Sequence, residues 1–276
     1  AMHKIGSVII TGTDNLLISA FVNISSVGIY SNYMLIINSV SRFTNLIGGT
    51  MTASVGNLVA SCDLKRVYKT YCKITFMNIW IHGFCACCFM TLFNPFITLW
   101  IGERFIFPEY VVALIVFNRF LVGFRESTLI FRDAMGLFWY DRYKPVLEII
   151  VNLVTSIVLV QIIGISGIFV GTIVSGITVC CWIEPYVLFK HGFKMKLFDY
   201  YKKVIPFVIP IFIIILLLYV LEWSCPVTVR GLIVRMGITL MGYNLFMSLI
   251  FRRTEEFKEL KKLLLGNIQR FMRSSK

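Results

Sequence analysis

Ionisable side chains inside long apolar stretches are the residues of this chain whose type and position could carry chemistry. They are Asp14, Arg42, Arg119, Arg125, Glu126 and Glu148. A charge within a membrane span is costly, so each one predicts either an ion pair or a position that faces a water-filled cavity. Arginine suits a phosphate group because its planar guanidinium donates two hydrogen bonds and stays charged.

Two interpretations of these charges stay open. In the structural one, internal ion pairs, for instance between Asp14 and Arg42, hold helices together. In the functional one, a cationic cavity receives an anionic head group. The predicted transport cavity is lined by Asp14, Asn15, Arg42, Arg119 and Arg125. Amide side chains in or beside the apolar stretches would suit a sugar chain or interhelical hydrogen bonds, and they are Asn15, Asn32, Asn38, Asn45, Asn118 and Asn152.

The remaining candidates favour packing over chemistry. His82 stands alone on an apolar face, so we interpret it as a packed helix residue, with proton carriage as the alternative. Glu126 and Glu148 are interpreted as structural. The cluster at 85–88 contains three cysteines between apolar flanks, without a second Cys/His pair at zinc spacing. We therefore interpret these cysteines as small apolar residues packed within a helix, and no metal site is predicted.

The elements that must position these residues are predicted to be membrane-spanning helices. The 276 residues are 58% hydrophobic and 15% charged, with a mean hydropathy of +0.81, whereas soluble domains carry about 25% charge. This composition excludes a disordered chain, a collagen-like fibre and an ordinary cytosolic enzyme, and it predicts an all-α polytopic membrane protein. Eight segments are long and apolar enough to span a bilayer, or nearly so: 5–22, 27–61, 74–101, 108–131, 145–164, 166–189, 204–222 and 226–251.

The net charge of +13 predicts the orientation of these spans. Outer loops carry only Arg104, Arg230 and Arg235, while Lys4 and the inner segments carry the other basic residues outside the spans. The inner segments are 62–73, 132–144, 190–203 and the tail from 252. Glu184 is counted among the acidic residues of the cytoplasmic side. Since cytoplasmic loops are enriched in Lys and Arg, both termini are predicted to be cytoplasmic. The charge excess thus indicates orientation, and no nucleic-acid partner is predicted.

The basic tail has its own pattern. Phe257, Leu260, Leu264 and Ile268 recur at helical spacing with lysines between them. This pattern predicts an amphipathic helix on the anionic inner leaflet, with a solvated helical tail as the alternative.

Several motifs carry a resemblance to a known family. They are the segments 3–6 (HKIG), 12–19 (GTDNLLIS), 27–39 (VGIYSNYMLIINS), 52–58 (TASVGNL), 131–153 (FRDAMGLFWYDRYKPVLEIIVNL), 171–175 (GTIVS) and 182–190 (WIEPYVLFK). In this order and spacing they resemble the Wzx-type polysaccharide flippases, part of the superfamily that includes MATE-type multidrug exporters and lipid II flippases.

The resemblance implies a domain organisation and a path for the substrate. Residues 1–200 would form the second six-helix lobe of a flippase, 201–254 two additional transmembrane helices, and 255–276 a cytoplasmic basic amphipathic tail. The first two spans would line the cavity, which places Asp14, Asn15 and Arg42 on the path. The absence of a first lobe suggests a fragment, a split gene product or an inactive remnant, in that order.

The resemblance also implies a function without catalysis. The chain would move an undecaprenyl-diphosphate-linked repeat unit across the bacterial cytoplasmic membrane for capsule, O-antigen or exopolysaccharide synthesis. The partners it implies are the lipid-linked oligosaccharide, membrane lipids, the absent N-terminal lobe and a polysaccharide polymerase. No cofactor is implied, although coupling to an H⁺ or Na⁺ gradient stays open.

Three alternative functions stay open beside the flippase. A MATE-like exporter of cationic drugs would use Asp14 as its coupling carboxylate, and its cavity should hold more acids than arginines. A membrane glycosyltransferase or polymerase would need a sizeable extramembrane domain or a carboxylate cluster, and the outer loops are short. A structural membrane subunit would transport nothing.

Overall fold

The computed structural model describes the backbone of residues 2–222 and 225–262, and within them the side chains of all residues except 2–11 and 47. This part of the chain is helical and contains no β-strand, which confirms the predicted all-α class. The α-helices are α1 (Met2–Phe21), α2 (Ile24–Ser61), α3 (Leu64–Ile101), α4 (Glu109–Phe124), α5 (Glu126–Ala134), α6 (Lys144–Ile163), α7 (Ile165–Ser175), α8 (Cys181–Val187), α9 (Leu197–Glu222) and α10 (Val229–Phe251).

Short irregular helices complete the architecture. Two 3₁₀ turns, Glu103–Phe105 and Leu137–Trp139, occupy the loops before α4 and α6. Two π-helical segments, Gly176–Cys180 and Leu188–Phe193, continue α7 into α8 and extend α8. Residues 165–193 therefore form one long, irregular helix.

Within the described residues, five helical stretches have the length and hydropathy to cross a membrane. They are Leu64–Ile101, Lys144–Ile163, Ile165–Phe193, Leu197–Glu222 and Val229–Phe251. They coincide with five of the eight predicted spans, and they show an all-α polytopic, membrane-embedded protein. The other three predicted segments are helical without meeting the same criteria, and the one at 108–131 is interrupted at Arg125, which separates α4 from α5. The total of eight spans stays a prediction.

Local turn chemistry explains where the helices begin and end. The Asn23 side chain accepts a hydrogen bond from the Ser26 amide (2.6 Å) and caps α2, and Thr228 caps α10 in the same way. Gly164 separates α6 from α7 at φ +60°, and Gly102 ends α3 at φ +104°. These φ values favour glycine because a side chain is strained there.

Helix α3 lies at the centre of the molecule and packs against α2, α4, α5, α9 and α10. The Tyr243 hydroxyl on α10 donates to the Trp80 carbonyl of α3 at 2.9 Å, so the predicted additional helices are joined closely to the rest. Helices α6 and α7 approach so closely that a Cβ at Gly167 would overlap the Leu159 backbone, and one at Gly171 would overlap Ser156. Small residues at such contacts are typical of helix pairs in membranes.

The segments predicted to be on the inner side meet at one end of the structure. Tyr140 stacks on His191 with ring centroids 3.8 Å apart, which joins 132–144 to 190–203. Glu259 lies 3.2 Å from Lys69, which joins the tail to 62–73. These contacts place 132–144 beside 190–203 and the tail beside 62–73, whereas the assignment of these segments to the cytoplasmic side stays a prediction.

The described part of the tail packs on the protein. Residues 255–262 are helical, and Phe257 stacks on Trp80 with a centroid distance of 5.7 Å and an interplanar angle of 9°. Lys203 pairs with Glu256 in the same region. Phe257, predicted to face lipid, is therefore part of a protein contact, and Leu264 and Ile268 lie outside the described residues.

Candidate functional site

A cavity of about 750 Å³ lies between α1, α2, α4 and α7. Half of its lining residues are polar or charged: Asp14, Asn15, Asn38, Ser41, Asn45, Asn118 and Arg119. Four of the six amides that the sequence analysis singled out are among them. The structure thus gathers polar side chains that are up to 105 positions apart in the sequence, from Asp14 to Arg119, around one space.

Helical periodicity on α2 and α4 explains which side chains face the cavity. On α2 the lining residues recur at intervals of three and four, for example Asn38, Ser41 and Asn45, and α4 contributes Asn118 and Arg119. Residues three and four apart share one helical face. Asn118 is also fixed in place, because its amide donates to the Phe169 carbonyl of α7 at 3.2 Å.

Among the described residues that line this cavity, Arg119 is the cationic one. Its side chain is half-buried, and no described residue forms an ion pair or a hydrogen bond with it. Its guanidinium carries five N–H donors and no acceptor. An anion in the cavity could therefore bind a guanidinium that the described protein groups leave available.

Among the described lining residues, Asp14 is the acidic one, and it has protein partners. It is 6% exposed, and the Thr172 hydroxyl of α7 lies 3.4 Å from its Oδ1 atom. The Asn152 amide of α6 in turn donates to the Thr172 hydroxyl at 2.9 Å. Asn152, Thr172 and Asp14 thus link three helices, and this arrangement replaces the Asp14–Arg42 ion pair that the structural interpretation proposed.

Arg42 and Arg125 do not line this cavity, contrary to the prediction. Arg42 follows the lining residue Ser41, and one residue rotates a side chain about 100° around a helix, which places Arg42 on an exposed side of α2. Arg125 comes six residues after Arg119 at the α4–α5 junction, and it is buried against another part of the protein.

Arg125 belongs to a group of four charges, three of them buried and Glu148 half-buried, which we name the inner ion cluster: Arg125, Lys144, Glu148 and Glu184. Arg125 Nε lies 3.3 Å from Glu184 Oε2. Lys144 Nζ lies 2.7 Å from Glu184 Oε1 and 2.9 Å from Glu148 Oε2. Two cations therefore face two anions, and the cluster has no formal net charge.

Glu184, predicted to belong to the acids of the inner face, is fully buried in this cluster. The sequence offered a local signal of an irregular helix at Glu184, because Pro185 follows Glu184 and interrupts the hydrogen bonding of the helix. Proline has no N–H, so the Cys181 carbonyl loses its donor from four residues later. The Tyr201 hydroxyl of α9 donates to that carbonyl at 3.1 Å, which ties α8 to α9 beside Glu184.

The break between α4 and α5 is held by side chains of α3. The Asn78 amide donates to the Gly123 carbonyl at 2.8 Å and lies 3.3 Å from the Phe124 carbonyl. His82 is buried, as the packing interpretation predicts, and its Nε2 also lies 3.1 Å from Glu126 Oε2. Sequence reasoning missed this partner, because the relative rotation of α3 and α5 is not encoded in local spacing.

The cysteines are all free thiols. Cys87 is part of the buried core, and Cys85 and Cys88 are half-buried. Among the residues that the structure describes, no group of three or more His, Cys, Asp or Glu side chains could hold a common metal ion.

Fold and site define an all-α, membrane-embedded protein with a polar cavity between its helices. No protein-family model, curated protein or solved structure matches the chain. The family resemblance therefore stays a prediction, and the function is argued from the cavity.

Proposed function

We propose that this protein takes part in transport without catalysis, as a flippase that carries a lipid-linked oligosaccharide across the bacterial cytoplasmic membrane. The observation that supports the proposal is Arg119, which faces a polar cavity of about 750 Å³ without a hydrogen-bond or ion-pair partner among the described residues. A charge at such a position is costly, and intramembrane charges typically mark substrate paths.

The chemistry of the lining matches a diphosphate-linked sugar. Arg119 offers a planar, permanently charged donor group for a diphosphate. Asn15, Asn38 and Asn118 offer amides, which both donate and accept hydrogen bonds and therefore suit sugar hydroxyls. Small-molecule sites commonly measure about 300–1,000 Å³, so the cavity has room for the diphosphate and the sugars next to it.

The orientation follows from charge and belongs to the same proposal. The end that gathers 62–73, 132–144, 190–203 and the described tail would face the cytoplasm, since these segments are rich in Lys and Arg. The substrate would then enter from the inner leaflet and leave towards the outer leaflet. By its family resemblance, the chain would work with the N-terminal first lobe, because alternating access moves one repeat against another.

Export of a cationic drug is the second candidate, and Asp14 favours it. This carboxylate lines the same cavity and is buried. However, Asp14 is held by Thr172, whereas Arg119 has no such partner. The group that is left available to a ligand is therefore the cation, and an anionic substrate is preferred.

Substitution of Arg119 tests the proposal, with Arg42 as the matched control. Arg119→Gln should abolish surface polysaccharide and leave lipid-linked repeat units in the inner leaflet in cells that depend on this protein, while Arg119→Lys should retain part of the activity. Arg42→Gln makes the same chemical change at an exposed position outside the cavity, and it should leave surface polysaccharide unchanged.

Protein levels in the membrane must be equal for this comparison. Normal surface polysaccharide in the Arg119→Gln variant would remove the flippase role. A drug exporter would instead show increased sensitivity to a cationic dye such as ethidium in the Asp14→Asn variant, with the Arg119→Gln variant unaffected.

A further inference from the structure

His82 and Glu126 form an acid–base pair inside the helical bundle that the proposed substrate path does not use. His82 Nε2 lies 3.1 Å from Glu126 Oε2, and the two side chains are 4% and 26% exposed. His82 comes from α3 and Glu126 from the first turn of α5. A buried histidine next to a carboxylate is the arrangement that proton-carrying membrane proteins use.

The packing around this pair fixes both side chains. A Cβ atom at Gly123 would overlap the His82 ring, and a Cβ atom at Gly48 would overlap the Glu126 carboxylate. Glycine at both positions therefore allows α4 and α2 to approach the pair closely. The contact between His82 and Glu126 is thus part of the packing of four helices.

Two small cavities with shared lining residues lie between the pair and the large polar cavity. Ser41 and Arg119 line both the large cavity and a neighbouring one of about 10 Å³. Thr44 and His82 line both that small cavity and a further one of about 10 Å³, which reaches Glu126. A volume of about 10–15 Å³ is the minimum for one water molecule, so the polar groups along this route are separated by spaces about the size of single waters.

We infer that His82 and Glu126 form a proton-binding site that is electrostatically coupled to Arg119. An ionised carboxylate only accepts hydrogen bonds, so Nε2 of His82 carries its hydrogen towards Glu126, and Nδ1 gains the additional proton. Binding of that proton changes the formal charge of the pair from −1 to 0. No bond other than N–H is formed.

Among the residues that the structure describes, few charged or titratable groups lie around the pair. Arg119 on α4 lines the small cavity beside His82 and lies within electrostatic range of Glu126, and Cys85 lines the same cavity on α3. Arg42 on α2 is exposed. Arg125, at the α4–α5 junction, is engaged with Glu184. Arg119 is therefore the permanent charge that senses the protonation state of the pair.

This geometry has a thermodynamic consequence. Without the additional proton, the negative pair attracts Arg119 and competes with an anion for it. With the proton bound, Arg119 is released to the cavity, so proton and anion binding strengthen each other, and the coupling is reciprocal. The link to glycan transport rests on the proposed function, whereas the proton site itself does not.

Titration of histidine in the full chain tests the inference. The chain has three histidines, so ¹⁵N-histidine NMR in lipid nanodiscs, with His82→Gln for assignment, resolves the one of interest. The ¹⁵N chemical shifts of Nδ1 and Nε2 should report the uptake of one proton by His82 as the pH is lowered. Glu126→Gln should lower its proton affinity about tenfold, which is a shift of about one pH unit. His191→Gln, at the inner end, is the control and should leave the His82 midpoint unchanged.

The coupling to Arg119 is tested in the same samples with sulfate, an anion that stays fully ionised over this range. Sulfate should raise the pH midpoint of His82 in the unmodified chain, and Arg119→Gln should abolish that response. If Glu126→Gln does not fold, Glu126→Asp shortens the side chain by one methylene group and should lower the proton affinity of His82 by a smaller factor.

Three results would overturn parts of the inference, and they differ from a failure of the proposed function. A His82 resonance that stays neutral throughout, or a midpoint that no Glu126 variant changes, removes the proton site. A His82 midpoint that sulfate does not change would contradict the coupling to Arg119. If His82 responds as expected while Arg119→Gln leaves surface polysaccharide intact, the flippase proposal fails and the proton site stands.

Discussion

Two arginines of the predicted span 108–131, Arg119 on α4 and Arg125 at the α4–α5 junction, have opposite environments in this protein. Arg125 is buried in the inner ion cluster and faces the Glu184 carboxylate. Arg119 lines a cavity without an ion pair among the residues described. Position in an apolar segment therefore does not separate a structural charge from a candidate binding group. The partners of the charge make that distinction.

The largest effect should come from breaking the inner ion cluster. Glu184→Leu leaves Arg125 and Lys144 with Glu148 as their remaining partner in the cluster. Removal of one partner from a buried ion pair typically costs about 3–5 kcal/mol. We expect a decrease of that size in the free energy of unfolding, measured by titration with sodium dodecyl sulfate in mixed micelles.

A double substitution is the control for the cluster. Arg125→Met combined with Glu184→Leu removes one cation and one anion and leaves the Lys144–Glu148 pair. The double variant should regain much of the stability, because no buried charge stays unpaired. If the single and double variants were equally unstable, ion pairing would not explain the role of Glu184.

An intermediate effect should follow from loss of the hydroxyl that holds Asp14. Thr172→Val keeps the shape of the side chain but removes the acceptor for Asn152 and the group that contacts Asp14. Groups left without partners in this way typically cost about 1–3 kcal/mol. Thr70→Val is the matched control, because the Thr70 hydroxyl bonds the Arg66 carbonyl of its own helix at the inner end. Equal effects of the two substitutions would contradict the anchoring of Asp14.

The smallest effect on stability is expected at Arg119. Arg119→Gln removes a charge that forms no hydrogen bond or ion pair with the described residues. The free energy of unfolding should change by no more than about 0.5 kcal/mol, as for substitutions away from buried networks. A loss comparable to that of Glu184→Leu would show that Arg119 is structural, and the contrast between the two arginines would disappear.

Much of the fold could be predicted because hydropathy and turn chemistry are local. The breaks at Asn23, Gly102 and Gly164 lie at or next to the gaps between predicted spans, and five predicted spans coincide with helices of sufficient length and hydropathy. One exception is the segment 108–131, which divides at Arg125. Its sequence has no proline at the break, and the freed carbonyls are satisfied by Asn78 from a different helix.

The candidate site could be predicted only in part. Asp14, Asn15 and Arg119 meet in one cavity, as the sequence analysis expected, although their role in transport stays a prediction. Arg42 and Arg125 were predicted to line the cavity and do not, and the contacts of Glu184 and His82 were not predicted. Each of these errors concerns the direction in which a side chain points relative to a helix distant in the sequence.

The sequence by itself determined that this is an all-α membrane protein, since the free energy of placing a segment in a bilayer adds up along the chain. It also indicated which segments share a side, and the contacts of Tyr140 and Glu259 agree. Only the tertiary structure decided which charges are paired. Two charges that are tens of residues apart in the sequence come into contact only when their helices have a particular relative rotation and depth. The packing of the whole bundle sets that rotation and that depth.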